Sequence, residues 1–97
     1  MKKELSPDKY ILQLFVAGTS PNSSRAIINI KNICEEYLSG RFKLNIIDIY
    51  QQPKTLVNEQ IIAVPVLIKK FPLPEKRMVG DLSNIDEVLK GLNINKK

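Results

Sequence analysis

Ninety-seven residues with 43% hydrophobic content suffice for one domain with a modest core and are too few for two. Fifteen Lys and Arg against ten Asp and Glu leave a net charge of +5, but Lys2, Lys3, Lys96 and Lys97 place four of those charges at the ends, so the body is only mildly basic. Histidine is absent, which removes the commonest general base and metal ligand. No arginine-rich run or aromatic ribonucleoprotein signature accompanies the charge, so no nucleic-acid partner is expected. No stretch approaches the ~18 apolar residues of a membrane span, and the Met-Lys-Lys-Glu start lacks an apolar signal region. A cytoplasmic protein with no membrane partner is expected. Cys34 is the one cysteine and cannot form an internal disulfide, as suits a reducing compartment.

Residues 1–9 read as a flexible N-terminal segment. The apolar run Tyr10 to Val16, interrupted only by Gln13, predicts a strand in the middle of a covered sheet. It stops at Gly18, and Ser20-Pro21 opens a helix with a Ser cap and Pro in its first turn. Ala26, Ile27, Ile30, Ile33, Cys34, Tyr37 and Leu38 recur at spacings of three and four, so the helix runs to about Leu38 and buries one stripe. Gly40 stands where a left-handed residue ends it. Phe42, Leu44 and Ile46 alternate with Lys43 and Asn45 as a second strand, and strand-helix-strand order predicts a parallel pair. Gln51-Gln52-Pro53 breaks the strand, and a short helix is expected over about 54–61 with Leu56, Val57, Gln60 and Ile61 inward or near the inward face. Ala63 to Lys70 predicts a third strand, with Pro65 at its entrance where no ladder donor is needed. Phe71-Pro72-Leu73-Pro74 is a bend, and Lys76 to Gly80 returns as an antiparallel strand. Ser83 with Asp86 approximates a capping box for a final helix whose Ile85, Val88, Leu89 and Leu92 face inward. The domain spans 10–92, and 93–97 reads as a polar tail.

This order, βαβαββα in a single α/β domain, is the thioredoxin-like layout, with Pro65 where that fold carries a cis proline. Thiol-disulfide exchange needs a pair of cysteines at the end of the first strand. Here Thr19-Ser20-Pro21-Asn22-Ser23 offers hydroxyls and an amide, so exchange is ruled out there. Cys34, far along the helix stripe, reads as a small core residue. Ser20, Ser23 and Ser24 lack a partner base and read as caps and turn formers. Asp48, Asp81 and Asp86 are too scattered for a metal site or an acid/base pair. No catalytic residue, metal site or cofactor is expected. Lys69, Lys70, Lys76 and Arg77 flank the proline bend and are expected to project from two adjacent strands, either as a solvated sheet end or toward an acidic protein surface.

The words Leu14-Phe15-Val16-Ala17-Gly18, Ser20-Pro21-Asn22-Ser23, Arg25-Ala26, Ile33-Cys34-Glu35-Glu36, Ile47-Asp48-Ile49, Gln51-Gln52-Pro53, Ile61-Ile62-Ala63, Phe71-Pro72-Leu73-Pro74 and Gly80-Asp81-Leu82-Ser83-Asn84, in that order, resemble the KaiB family of circadian-clock proteins. The resemblance implies a non-enzymatic regulator that binds KaiC, a hexameric RecA-like ATPase with autokinase activity, in a clock or in a stress adaptation derived from one. It also implies a metamorphic chain that forms homodimers or homotetramers: a tetrameric ground state, an α/β meander with a different C-terminal half, exchanges with the thioredoxin-like state. Carried over by position, Arg25, Lys69, Lys76 and Arg77 are the basic residues offered to KaiC. Gly91 and the position of Asn93, an Asp in the family's Gly-Leu-Asp, set the balance of folds. Pro65, Pro72 and Pro74 are expected to take part in slow interconversion. Val64-Pro65-Val66 departs from the family's Thr-Pro-Thr, and the acidic tail of many members is missing. The rival class is a thioredoxin-like redox or glutathione-binding protein.

Overall fold

The computed structural model describes residues 9–95. Seven elements follow in chain order: β1 (Tyr10–Val16), α1 (Pro21–Tyr37), β2 (Phe42–Asp48), α2 (Lys54–Asn58), β3 (Val66–Phe71), β4 (Lys76–Val79) and α3 (Ile85–Gly91). They build one four-stranded sheet of order β2-β1-β3-β4. β1 pairs with β2 in parallel and with β3 antiparallel, and β4 returns antiparallel on β3. This is the thioredoxin-like arrangement that the element order predicts.

The pleat divides the sheet into two unequal faces. Leu12, Leu14 and Leu67 point to the α1 and α3 side, where they pack with Ala26, Ile30, Ile33 and Cys34 of α1 and Val88 and Leu89 of α3. Fully burying each of these leucines contributes about 1.5–3 kcal/mol, so this layer dominates stability. On the other face Phe15, Val66 and Ile68 form a smaller core, covered by Ile47, Ile49, Ile61 and Val64. Gln13 belongs to that thinner face by alternation with Phe15, and its Oε1 is buried without a hydrogen-bond partner among the described residues.

α1 begins as the sequence requires. Ser20 caps it, accepting from the Ser23 amide at 3.3 Å, and Pro21 opens its first turn. Gly40 adopts φ +76 in the turn after it. The later helices differ from expectation. α2 stops at Asn58 and buries nothing; Val57 is 78% exposed and Gln60 is exposed rather than inward. Gln60 takes φ +54, its amide reaches Val57 O, and the Ile61 amide reaches Leu56 O. That pair of bonds is a Schellman stop, which ends the helix before Ile61 can join it. α3 is capped by Asn84, which accepts from the Glu87 amide at 3.3 Å, and not by Ser83. Asp81 Oδ1 takes the Ser83 amide at 3.0 Å, so the chain is still turning at Ser83 and the helix starts one residue later. Ile85 is consequently 48% exposed instead of inward.

The end of α3 also departs from the polar tail expected at 93–97. Asn93, at φ +61, donates to Lys90 O and Ile94 donates to Leu89 O, a second Schellman stop that brings Ile94 onto the main core. The flexible segment expected over 1–9 falls, apart from Lys9, outside the described residues, as do Lys96 and Lys97.

Candidate functional site

The β1–α1 junction is where an α/β fold commonly holds its chemistry. Here its serine hydroxyls are engaged with backbone. Ser23, wholly buried, accepts from the Ala17 amide at 3.0 Å while Ser24 donates to Thr19 O. Asp48 Oδ1 takes the Gly18 amide at 3.2 Å and the Tyr50 amide at 2.9 Å, tying the junction to the end of β2. Gly18 is needed for its backbone, at φ +55; a Cβ there would meet the Tyr50 ring only at ordinary contact distance. Cys34 is buried in the main core, and burial, with a smaller push from Glu35, drives its thiol up to about 12. Its thiolate is therefore not accessible at neutral pH. Among the described residues no cluster of His, Cys, Asp or Glu could hold a metal ion, and no helix is long and apolar enough to cross a membrane.

The basic residues expected as a partner-binding group are not one patch. Arg25 lies on α1, where its Nε meets Asp81 Oδ2 at 3.1 Å and its Nη2 donates to Asn22 Oδ1. Asn29, one turn further along the same helix face, donates to Asp81 O at 2.8 Å. Ser83, and then Arg25, hold the Asp81 carboxyl below its ordinary range. Arg25 and Asn29 thus staple the β4–α3 turn to α1.

Arg77 is engaged elsewhere. It donates to Glu59 O at 2.6 Å and Gln60 O at 3.1 Å, the carbonyls at the C-terminal end of α2. A guanidinium there satisfies orphan acceptors and meets the negative end of the helix. Beside it Glu75 lies 3.7 Å from Arg77 and 3.8 Å from Lys70, and Lys70 reaches Glu59 at 2.9 Å.

Lys69 overturns the expectation that it projects toward a partner. It is 1% exposed. Its register opposite Leu12 and two residues after Leu67 turns it to the α1 and α3 face, into the main core side rather than outward. Burial, and then Lys76 across the β3–β4 pair, lower its pKa. Lys76 is exposed and has no acid partner among the described residues.

The residues expected to govern conformation sit on the β3–β4–α3 side. The bonds before Pro65, Pro72 and Pro74 are cis. Gly91 ends α3 facing β4: a Cβ there would lie 2.5 Å from Met78 Sδ. Asn93 supplies the left-handed residue of the α3 stop, a conformation Asn tolerates better than most residues.

The sequence reading missed the partners of Arg25 and Arg77. Asp81 is 56 residues from Arg25 in the chain, and the acceptors of Arg77 are backbone atoms with no side-chain signature. The Arg25/Asn29 spacing was the available signal. Also unforeseen is the exposure of Tyr50, Val57 and Ile62, at 73, 78 and 99%, all within the segment over the thinner sheet face.

Comparison with known proteins agrees with this picture. In fold, the chain is similar to the N-terminal domain of Synechococcus elongatus SasA, with a TM-score of 0.73 at 23% identity over 100% of this chain and 95% of that one. It is also similar to chloroplastic thioredoxin z, with a TM-score of 0.71 at 22% identity over 91% of this chain and 81% of that one. These identities establish shared architecture alone. Sequence relatives include the circadian clock oscillator protein KaiB of Synechococcus elongatus, 45% identical over 93% of this chain and 89% of that protein. They also include the circadian clock protein KaiB3 of Synechocystis, 41% identical over 90% of this chain and 85% of that protein. Residues 13–94 match the KaiB domain, and the chain belongs to the KaiB family.

Proposed function

We propose that this chain is a non-enzymatic regulator that binds a KaiC-like hexameric ATPase of the RecA type, in a circadian clock or in a stress adaptation derived from one. The observation that carries the reading is the family match over residues 13–94. The site chemistry supports it: the junction hydroxyls are used as caps and the thiol is buried, so the residues present favour recognition over reaction. The thioredoxin likeness is one of fold, and no cysteine stands at the β1–α1 junction to give it redox meaning.

Arg25, Lys76 and Arg77 are the basic residues we assign to the partner surface, with Tyr50, Val57 and Ile62 as apolar contacts. Lys69 acts from inside, on the stability of the fold. Lys76 is the cleanest probe, since reversing Arg77 would also release α2. The test is gel filtration of the chain with the ATPase hexamer and ATP. Co-elution with the wild-type chain, weakened for Lys76→Glu, is expected. Wild-type co-elution undiminished by Lys76→Glu would remove this residue from the interface, and absence of any complex would overturn the reading. The same column reports whether the chain alone forms the homodimer or homotetramer that the family resemblance implies.

A further inference from the structure

β4 is the last strand of the sheet, and nothing among the described residues pairs with its outer edge. Gly80 donates to Pro65 O at 2.9 Å, which sets the parity of the β3–β4 ladder. Lys76, Met78 and Gly80 turn their peptide groups to β3, and Arg77 and Val79 turn theirs outward. Beside this edge runs an open groove of about 570 Å³ between β4 and α3, floored by Met78, Leu82 and Val88. Its rim is basic. Lys76 and Lys90 have no acid partner among the described residues, Asp81 is already taken by Arg25, and Glu87 is the one acid of the rim without an ion pair among them.

From this arrangement we propose that β4 and its groove bind an extended acidic segment of a protein partner by strand addition. The incoming strand pairs with the outward peptide groups of Arg77 and Val79. Its alternate side chains then fall over the groove, where carboxylates meet Lys76 and Lys90 and apolar groups meet Met78 and Val88. On its other side lies Val79, which is 67% exposed. A second copy of this chain suits the edge poorly, because Lys76 and Arg77 give both β4 strands the same positive charge. The inference goes beyond the regulator reading, because the edge and its charge are properties of this chain whatever ATPase it meets.

The test is an NMR titration of the full chain with a short peptide in which Glu and Val take turns at every second position and Thr fills the positions between, so that both kinds of side chain reach the groove face. The expected shifts centre on the amides of Arg77 and Val79 and on the groove face of α3. Methylating the peptide's backbone nitrogens, which blocks pairing and leaves its charge, should weaken binding by about tenfold or more. Val79→Pro should have the same effect, since the Val79 amide is not used in the ladder; if that variant fails to fold, the methylated peptide decides alone. Equal binding of the methylated peptide, shifts spread over the basic surface, no binding, or self-association through β4 would each overturn the proposal. Failure of the peptide to bind leaves the ATPase reading intact, and failure of the hexamer to bind leaves strand addition intact.

Discussion

Lys69→Met should stabilise the protein. The lysine stem already packs on the main-core side, and methionine keeps most of that volume while removing an ammonium held at 1% exposure with no acid partner among the described residues. Replacing buried ionic groups by apolar ones of similar size gains about 1–4 kcal/mol, and we expect about 1–3 here. For a domain of this size each kcal/mol raises Tm by roughly 4–8 °C. The gain should depend on pH. Folding lowers the pKa of Lys69 below the ordinary 10.5, so between the two values the unfolded chain binds more protons and wild-type stability rises with pH. Cys34 acts in the opposite sense: its thiol is raised to about 12 in the fold, so its contribution is full below the ordinary 9.0 and is lost as pH rises from there toward the folded value. The informative quantity is therefore the difference between wild type and Lys69→Met at each pH. Urea unfolding followed by circular dichroism should show that difference largest near neutrality and shrinking toward pH 10.5. A variant less stable than wild type at neutral pH, or an advantage that does not change with pH, would refute the reasoning.

Other substitutions test the remaining contacts. Asn93→Ala should cost about 1 kcal/mol by urea unfolding and Asn93→Gly should gain a few tenths or more, because the position needs φ > 0. Gly91→Val should push the flexible Met78 thioether aside at a cost of about 1 kcal/mol or less, and that loss should return in a Met78→Ala background. Gln13→Leu should stabilise by about 1 kcal/mol in thermal denaturation, because it removes a buried oxygen without a partner. Asp81, whose carboxyl is held low, contributes stability that is present above its unfolded pKa and lost as pH falls through the folded value. Asp81→Asn should accordingly flatten the acid side of the stability profile without changing its alkaline side.

The N-terminal half was legible because each local signal there agrees with the tertiary outcome. Periodicity, the Ser20 cap and Gly40 place α1 between two parallel strands, and the packing requires nothing different. The C-terminal half was legible in order and not in detail. Leu56 and Ile61 carry the helical pattern, but Gln60 turns left-handed between them and ends α2 early. Lys69 follows three apolar strand residues and looks like the start of the solvated end. Alternation puts it on the face of Leu67, and the register against Leu12 shows that this face is the helix-covered one. Arg25 and Arg77 look like free surface cations in one dimension. Their engagement depends on Asp81 and on the end of α2, neither of which is near them in the chain.

Sedimentation velocity of the wild-type chain mixed with an ATP-loaded KaiC-like hexamer tests the central claim most directly. The account predicts that the chain leaves its slow boundary and moves with the hexamer, with the shift diminished for Lys76→Glu. Two independent boundaries after hours of mixing, with the hexamer still hydrolysing ATP, would contradict it.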